Sequence, residues 1–174
     1  MIKKIRIFDP TEDSLNYDFS YNSDETKELH KIFNNKSDMS INDLRRIYLW
    51  KLDRVVNISD ETILKLNLIS TKTDLTIEDD LVKDLIKALV ESNGVGYPMA
   101  SAFLKFIRPD IFPIIDIRAY RALTGKKICY SSYKFELYVD YVKKLMDIAK
   151  KYNRPLSEID EQLYCFDKEN NKNI

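Results

Sequence analysis

Leu89-Val90-Glu91-Ser92-Asn93-Gly94-Val95-Gly96-Tyr97-Pro98-Met99-Ala100-Ser101-Ala102-Phe103-Leu104 holds two of the chain's three glycines, one residue apart. Asn93-Gly94 is a strong turn signal, and apolar residues at helical spacing lie on both sides of it. Glycine accepts positive φ and lets another backbone come close. Val95, between Gly94 and Gly96, can point into a core and pin the turn. Pro98 falls in the first turn of the next helix, where a missing N–H costs little. Ala100, Ser101 and Ala102 are small enough to let that helix pack tightly on the one before. The stretch therefore predicts two helices joined by a tight hairpin, spanning 89–107. Free N–H groups of roughly Val95 to Tyr97 would then face outward at a helix N-terminus, a natural seat for phosphate. An ordinary helix–helix turn with a glycine cap uses the same residues.

Working outward, the rest of the chain reads as an all-α fold, a compact multi-helix domain. Three glycines in 174 residues disfavour a turn-rich β architecture. Ser23 is positioned to cap a helix reaching about Asn34. Ser40, with Asp43 three places on, opens a stretch whose Ile41, Leu44, Tyr48, Leu52 and Val55 share one apolar face. Ser59 precedes Ile63, Leu66 and Ile69. Thr76, with Asp79, opens a helix carrying Leu81, Leu85, Ile86, Leu89 and Val90. Helices are expected from Tyr97 to Ile107 and from Asp116 to Leu123. Ser132 opens the longest helix, with Phe135, Tyr138, Val139, Val142 and Leu145 on its core face. Ser157, with Asp160, opens the last. Residues 1–22 are the exception, since Tyr17, Phe19 and Tyr21 alternate with the period of a strand. The organisation is thus an N-terminal extension over 1–22, one helical domain over 23–166 and a polar, fraying tail over 167–174.

Composition narrows the function classes. A 44% hydrophobic, 32% charged chain can bury a core and stay soluble. No apolar run is long enough to cross a bilayer. The opening Met1-Ile2-Lys3-Lys4-Ile5-Arg6-Ile7 alternates charge with aliphatic residues and lacks a signal-peptide core. An intracellular, cytoplasmic protein without a membrane partner is expected. Cys129 and Cys165 lack metal-ligand spacing and are expected to be small, partly buried side chains. His30 is the only histidine, so a histidine metal site or a catalytic triad has no partners. Trp50 reads as core or rim.

Charge is unevenly spread. Residues 1–93 hold 14 basic and 18 acidic side chains, 94–154 hold 12 and 5, and 155–174 hold 2 and 5. A basic middle segment in a chain of zero net charge is a candidate phosphate-facing surface.

Downstream, Phe106-Ile107-Arg108-Pro109-Asp110-Ile111-Phe112-Pro113-Ile114-Ile115-Asp116-Ile117-Arg118 places two prolines in a stiff loop ahead of Asp116. Asp116 is a helix N-cap flanked by isoleucines, hence at a core edge. A fixed carboxylate there can stabilise positive charge or activate water, although many aspartate caps do neither.

Together these features resemble the helix-hairpin-helix superfamily of DNA glycosylases. Gly94, Val95 and Gly96 match that family's hairpin, Ala100 its small residue, Pro113 its loop proline and Asp116 its essential aspartate. The 18 positions from Pro98 to Asp116 match the family's step from lysine to aspartate. The likeness covers about Leu89 to Arg121. It departs at Ser92-Asn93, where Leu-Pro is usual, and at Arg118-Ala119. At Pro98 the strand-cleaving members carry a Schiff-base lysine, so lysine-dependent lyase chemistry is not expected there. Two cysteines also cannot hold a four-cysteine iron–sulfur cluster.

The resemblance implies a monofunctional glycosylase, monomeric and acting on double-stranded, damaged or modified DNA without a cofactor. Asp116 would be catalytic. Asn93, Gly94, Val95, Gly96, Tyr97, Arg118, Arg121, Lys126 and Lys127 would contact DNA. A monovalent cation on hairpin carbonyls is compatible with it; no other metal is expected. A non-catalytic hairpin DNA-binding module and a helical protein-interaction domain are the alternatives.

Overall fold

The computed structural model describes residues 11, 12, 17, 22–33 and 38–171, and these are helical, turn or loop. The extended pieces expected over 1–22 fall almost wholly outside the described residues, as does the helix end expected at Asn34. Eight α-helices are present among the described residues. None is long and apolar enough to cross a membrane. The chain divides into two units, Met1–Val55 and Val56–Ile174, so the break falls inside the span expected as one domain.

The first unit holds α1 (Ser23–Phe33) and α2 (Ile41–Lys51). Ser40 caps α2 in a reciprocal box with Asp43, as its spacing predicts. Arg46 donates to both Glu25 carboxylate oxygens at 2.6 and 2.9 Å. Trp50 Nε1 donates to Thr26 Oγ1 at 2.9 Å, which fits a rim position. These contacts bring the side of α2 bearing Arg46 and Trp50 to α1. Ile41, Leu44, Tyr48 and Leu52, the face expected to pack, are consequently exposed.

The second unit holds α3 (Asp60–Thr71), α4 (Asp80–Glu91), α5 (Tyr97–Ile107), α6 (Ile117–Thr124), a 3₁₀ turn (Tyr130–Ser132), α7 (Phe135–Tyr152) and α8 (Leu156–Asn170). Its core is built from Ile69, Val82, Leu85, Leu89, Leu104, Phe112, Ile115, Val142 and Leu145, all fully buried. Burial of each such side chain contributes about 1.5–3 kcal/mol. α6 packs chiefly on α8, and α7 lies against α4 and α8.

Four helix starts differ from the sequence reading. α1 begins at Ser23 itself, with the Asn22 carbonyl accepting the Thr26 N–H at 2.8 Å, so Ser23 is its first residue and not its cap. α4 begins after Asp79, whose carboxylate accepts the Thr76 N–H at 2.9 Å and so closes a turn ahead of the helix. α7 begins after Lys134, because Ser132 belongs to the 3₁₀ turn. α8 begins after Pro155, and Asp160 turns inward instead of serving the cap. Cys129 and Cys165 are exposed rather than partly buried, one on a loop and one on an outer face of α8.

The largest difference lies at the C-terminus. The polar tail expected from 167 is instead the last turn of α8, and Asp167 is 0% exposed. Arg121 donates to both of its carboxylate oxygens at 2.8 and 2.7 Å. Asn171 adds a third hydrogen bond at 2.8 Å. The Arg121 and Asn171 hydrogen bonds and the charges of Arg121 and Arg118 hold the Asp167 carboxyl down at about 2, against an ordinary value of 3.8. A carboxyl whose folded value is depressed stabilises the fold above its unfolded value and loses that contribution as pH falls through the folded one. Asp167→Asn therefore lowers Tm at pH 7. The gap to wild type closes as pH falls from 3.8 toward about 2, measured by thermal melts across that range.

Candidate functional site

The α4–α5 connection is a four-residue turn from Ser92 to Val95. Val95 N–H donates to the Ser92 carbonyl at 3.2 Å, and Gly94 stands at φ +80°. Positive φ at the third position is the demand of a type II turn, which glycine meets without strain. Val95 is 3% exposed and anchors the turn in the core. Asn93, exposed, bridges to Asn57 in antiparallel fashion. Because the Val95 amide closes the turn, it is not free for an anion. Gly96 and Tyr97 supply the remaining amides, and Gly96 caps α5 with Pro98 in its first turn.

Tyr130 lies over Gly96. A Cβ at Gly96 would come within 2.6 Å of Tyr130 Oη, so glycine is needed for that approach. Tyr133, on the same loop, stacks on Tyr97 with ring centroids 6.0 Å apart and meets Tyr130 edge-on at 6.5 Å. Lys126 and Lys127, both exposed, lie on this loop after Gly125 ends α6 in the left-handed conformation.

Asp116 caps α6. Its Oδ1 accepts the N–H groups of Arg118 and Ala119 at 2.7 and 3.1 Å. Oδ2 accepts no hydrogen bond among the described residues. The loop before it is fixed from three helices. Ser101 Oγ on α5 accepts the Ile115 N–H at 3.1 Å. Asp160 on α8 accepts the Ile114 N–H at 3.0 Å. From α7, Tyr138 donates to the Pro113 carbonyl at 2.8 Å and Tyr141 to the Ile114 carbonyl at 3.0 Å. Burial pushes both phenols well above the usual tyrosine range. Asp160 is itself held by Lys105, whose Nζ donates to both of its oxygens at 2.9 Å and to Glu161 at 2.8 Å.

A cavity of about 450 Å³ lies beside Asp116, lined also by Ile114, Ala119, Asp160, Glu161, Tyr164 and Cys165. That volume is within the roughly 300–1,000 Å³ of small-molecule pockets. Two larger hollows lie elsewhere, about 540 Å³ beside Trp50 and about 620 Å³ between α7 and α8. Neither includes Asp116 or a residue of the glycine turn, so size alone does not mark the site. The Asp116 charge also reaches Tyr133: burial chiefly, then Asp116, then Tyr120, push the Tyr133 phenol up to about 12.

The residues singled out by sequence thus meet unevenly. Asp116 lines the cavity, Tyr97 stacks on Tyr133 outside that lining, and Arg121 is engaged with Asp167 inside the fold. Arg118 is half-exposed, 3.6 Å from Asp167 and over the Tyr164 ring. No His, Cys, Asp and Glu cluster able to hold a metal occurs among the described residues. Sequence reads Ser101 as a small packing residue and Asp160 as the partner of a Ser157 cap and gives no signal for Lys105, so it missed the part all three play in fixing the loop before Asp116. No family model matches the sequence, and neither a curated protein nor a solved structure aligns with it.

Two measurements probe this geometry. Ser101→Ala strands the buried Ile115 N–H and lowers unfolding free energy by about 1–3 kcal/mol in urea titration. Gly96→Ala displaces Tyr130; in a double-mutant cycle its cost shrinks by about 0.5–1 kcal/mol when Tyr130 is already alanine.

Proposed function

We propose that the chain binds duplex DNA and hydrolyses the N-glycosidic bond of a base flipped out of the stack. The observation that carries this reading is the cavity of about 450 Å³ beside Asp116, whose carboxylate is fixed as the cap of α6. On the other side, Tyr133 stacks on Tyr97, which begins the helix after Gly94-Val95-Gly96. The resemblance of Gly94-Val95-Gly96 and Asp116 to the helix-hairpin-helix glycosylases supplies the reaction class.

In this reading the Gly96 and Tyr97 amides seat one backbone phosphate at the positive end of α5. Lys126 and Lys127 add charge contacts without sequence preference. Arg118 lies over the ring of Tyr164, which lines the cavity, and Asn93, exposed at the turn, lies where the strand would pass. Arg121 serves the fold and not the DNA. The flipped base enters the cavity, because glycosidic chemistry is closed to a stacked base. As the C1′–N bond breaks, its electron pair leaves with the base nitrogen, and positive charge builds on the sugar. The free oxygen of Asp116 offsets that charge, in the manner of carboxylates in glycoside hydrolysis. Water then adds to C1′, passing a proton to Asp116 and on to solvent, while the departing base takes a proton from water.

The experiment is base release from a panel of damaged duplexes. Wild type releases at least one base, and Asp116→Asn is slower by about 100-fold or more with DNA affinity retained. Equal rates from both, or no release by wild type, end the enzymatic reading. Duplex binding that survives that result identifies a non-catalytic DNA module. Separately, Lys126→Ala weakens all duplexes alike and reduces the slope of log K against log salt by about 0.9, read by fluorescence anisotropy.

A further inference from the structure

The connection from α6 to α7 reads Gly125-Lys126-Lys127-Ile128-Cys129-Tyr130-Ser131-Ser132-Tyr133-Lys134, with three lysines and no carboxylate. All three lysines are exposed, and none forms an ion pair among the described residues. Tyr130 opens the 3₁₀ turn and is 76% exposed. It is nonetheless held in place. Ile128, two residues before it, is buried. Tyr133, three residues after it, stacks on Tyr97 and meets the Tyr130 ring at 72°. The hydroxyl end of the Tyr130 ring rests against Gly96, where a Cβ would leave no room. The Ser132 N–H donates to the Cys129 carbonyl at 2.9 Å and closes the turn beneath it. An aromatic side chain already braced in this way loses little rotamer freedom when a ligand covers it.

We propose that Tyr130 is a stacking platform for an unpaired base of a DNA strand, with Lys126, Lys127 and Lys134 holding that strand's phosphates. This rests on the reading above only in taking DNA as the partner. An exposed aromatic face among free cations is the pairing of groups that grips a strand whose bases are unstacked. The lysines attract any DNA, paired or not, and their share of the affinity falls with salt. The ring adds discrimination, because a base inside a duplex has both faces covered by its neighbours, whereas an unpaired base has a face to give. Tyr130 does not line the cavity beside Asp116, so the base on the platform is not the base that enters that cavity. The rival occupants fit less well. An acidic peptide would use the lysines and leave the ring unused. An anionic membrane calls for a continuous apolar face, and Tyr130 is followed by Ser131 and Ser132, both exposed.

The test uses the full chain and two undamaged DNA probes of one sequence, a fully paired duplex and the same duplex with a single unpaired 2-aminopurine. Wild type is expected to bind the unpaired probe more tightly and to quench its 2-aminopurine fluorescence, the signature of stacking. Tyr130→Leu, which keeps apolar bulk and removes the aromatic face, is expected to weaken the unpaired probe by about 5- to 150-fold. Its affinity for the paired duplex and its Tm are expected to stay near wild type. Tyr130→Phe, which keeps the ring, is expected to retain both the preference and the quenching. Equal affinity of wild type for the two probes overturns the proposal, as does equal weakening of both by Tyr130→Leu. Binding of anionic vesicles or of an acidic peptide without binding of either probe overturns it as well and hands the loop to that partner. Neither probe carries damage, so the result is separate from base release. A preference for the unpaired probe in a protein that releases no base keeps the platform and ends the glycosidic reading. Base release by a protein with no such preference does the reverse.

Discussion

Pro113 and Ile115 are buried and Ile114 half-buried in a stretch with no regular secondary structure, and their backbone groups must be satisfied by side chains. Four bonds do so, from Ser101, Asp160, Tyr138 and Tyr141. Each bond reaches in from α5, α7 or α8. Any one left unmade costs about 1–3 kcal/mol in a core of this kind. The loop therefore has one arrangement, and Asp116, the next residue, inherits it. That constraint turns an ordinary helix cap into a carboxylate of fixed position. It also explains why three helices converge on a segment that carries no chemistry of its own.

Part of the basic middle segment is answered from within. α8 supplies Asp160 and Glu161 to Lys105, Asp167 to Arg121 and Arg118, and Glu158 to Arg154. The acidic C-terminal segment and the basic middle segment are thus two sides of one helix interface. Buried pairs of this sort add little net stability over apolar packing, yet removing one partner strands the other. Their consequence is specificity of docking: α8 has one register against α5 and α6. The cations left facing outward include Lys126 and Lys127, on the loop that also carries Tyr130 and Tyr133 across the glycine turn. The exposed basic surface at this loop is smaller than the charge count suggests, and it lies beside the aromatic residues.

Local signals were readable in the sequence because their causes are local. The Ser40–Asp43 box, the Asp116 cap, the helix from Tyr97 to Ile107 and the burial of Val95 follow from neighbours within four residues. What could not be read depends on partners far away in the chain. Lys105 and Asp160 are 55 residues apart, and Arg121 and Asp167 are 46 apart. Asp167 sits in a polar stretch whose composition matches a fraying tail, and nothing nearby announces that an arginine awaits it. The exposed face of α2 failed for the opposite reason. Its period is right for a packed helix, but periodicity cannot say which side a neighbour will take. In the site, Asp116 and the glycine turn were legible, whereas the long-range props of the loop before Asp116, from Asp160, Tyr138 and Tyr141, were not.

The identity of residue 98 bears on the kind of glycosidic chemistry open to this fold. A Schiff-base route needs an amine with a free lone pair near the sugar carbon. Proline at 98 has none to offer. The lysine that shares the α5 face, seven residues further on, is Lys105, and its three N–H donors are spent on Asp160 and Glu161. Freeing it would also strand the carboxylate that holds the Ile114 N–H, and with it the loop that fixes Asp116. The amine cannot be recruited without dismantling the acid. In the proposed reaction the nucleophile must then come from solvent.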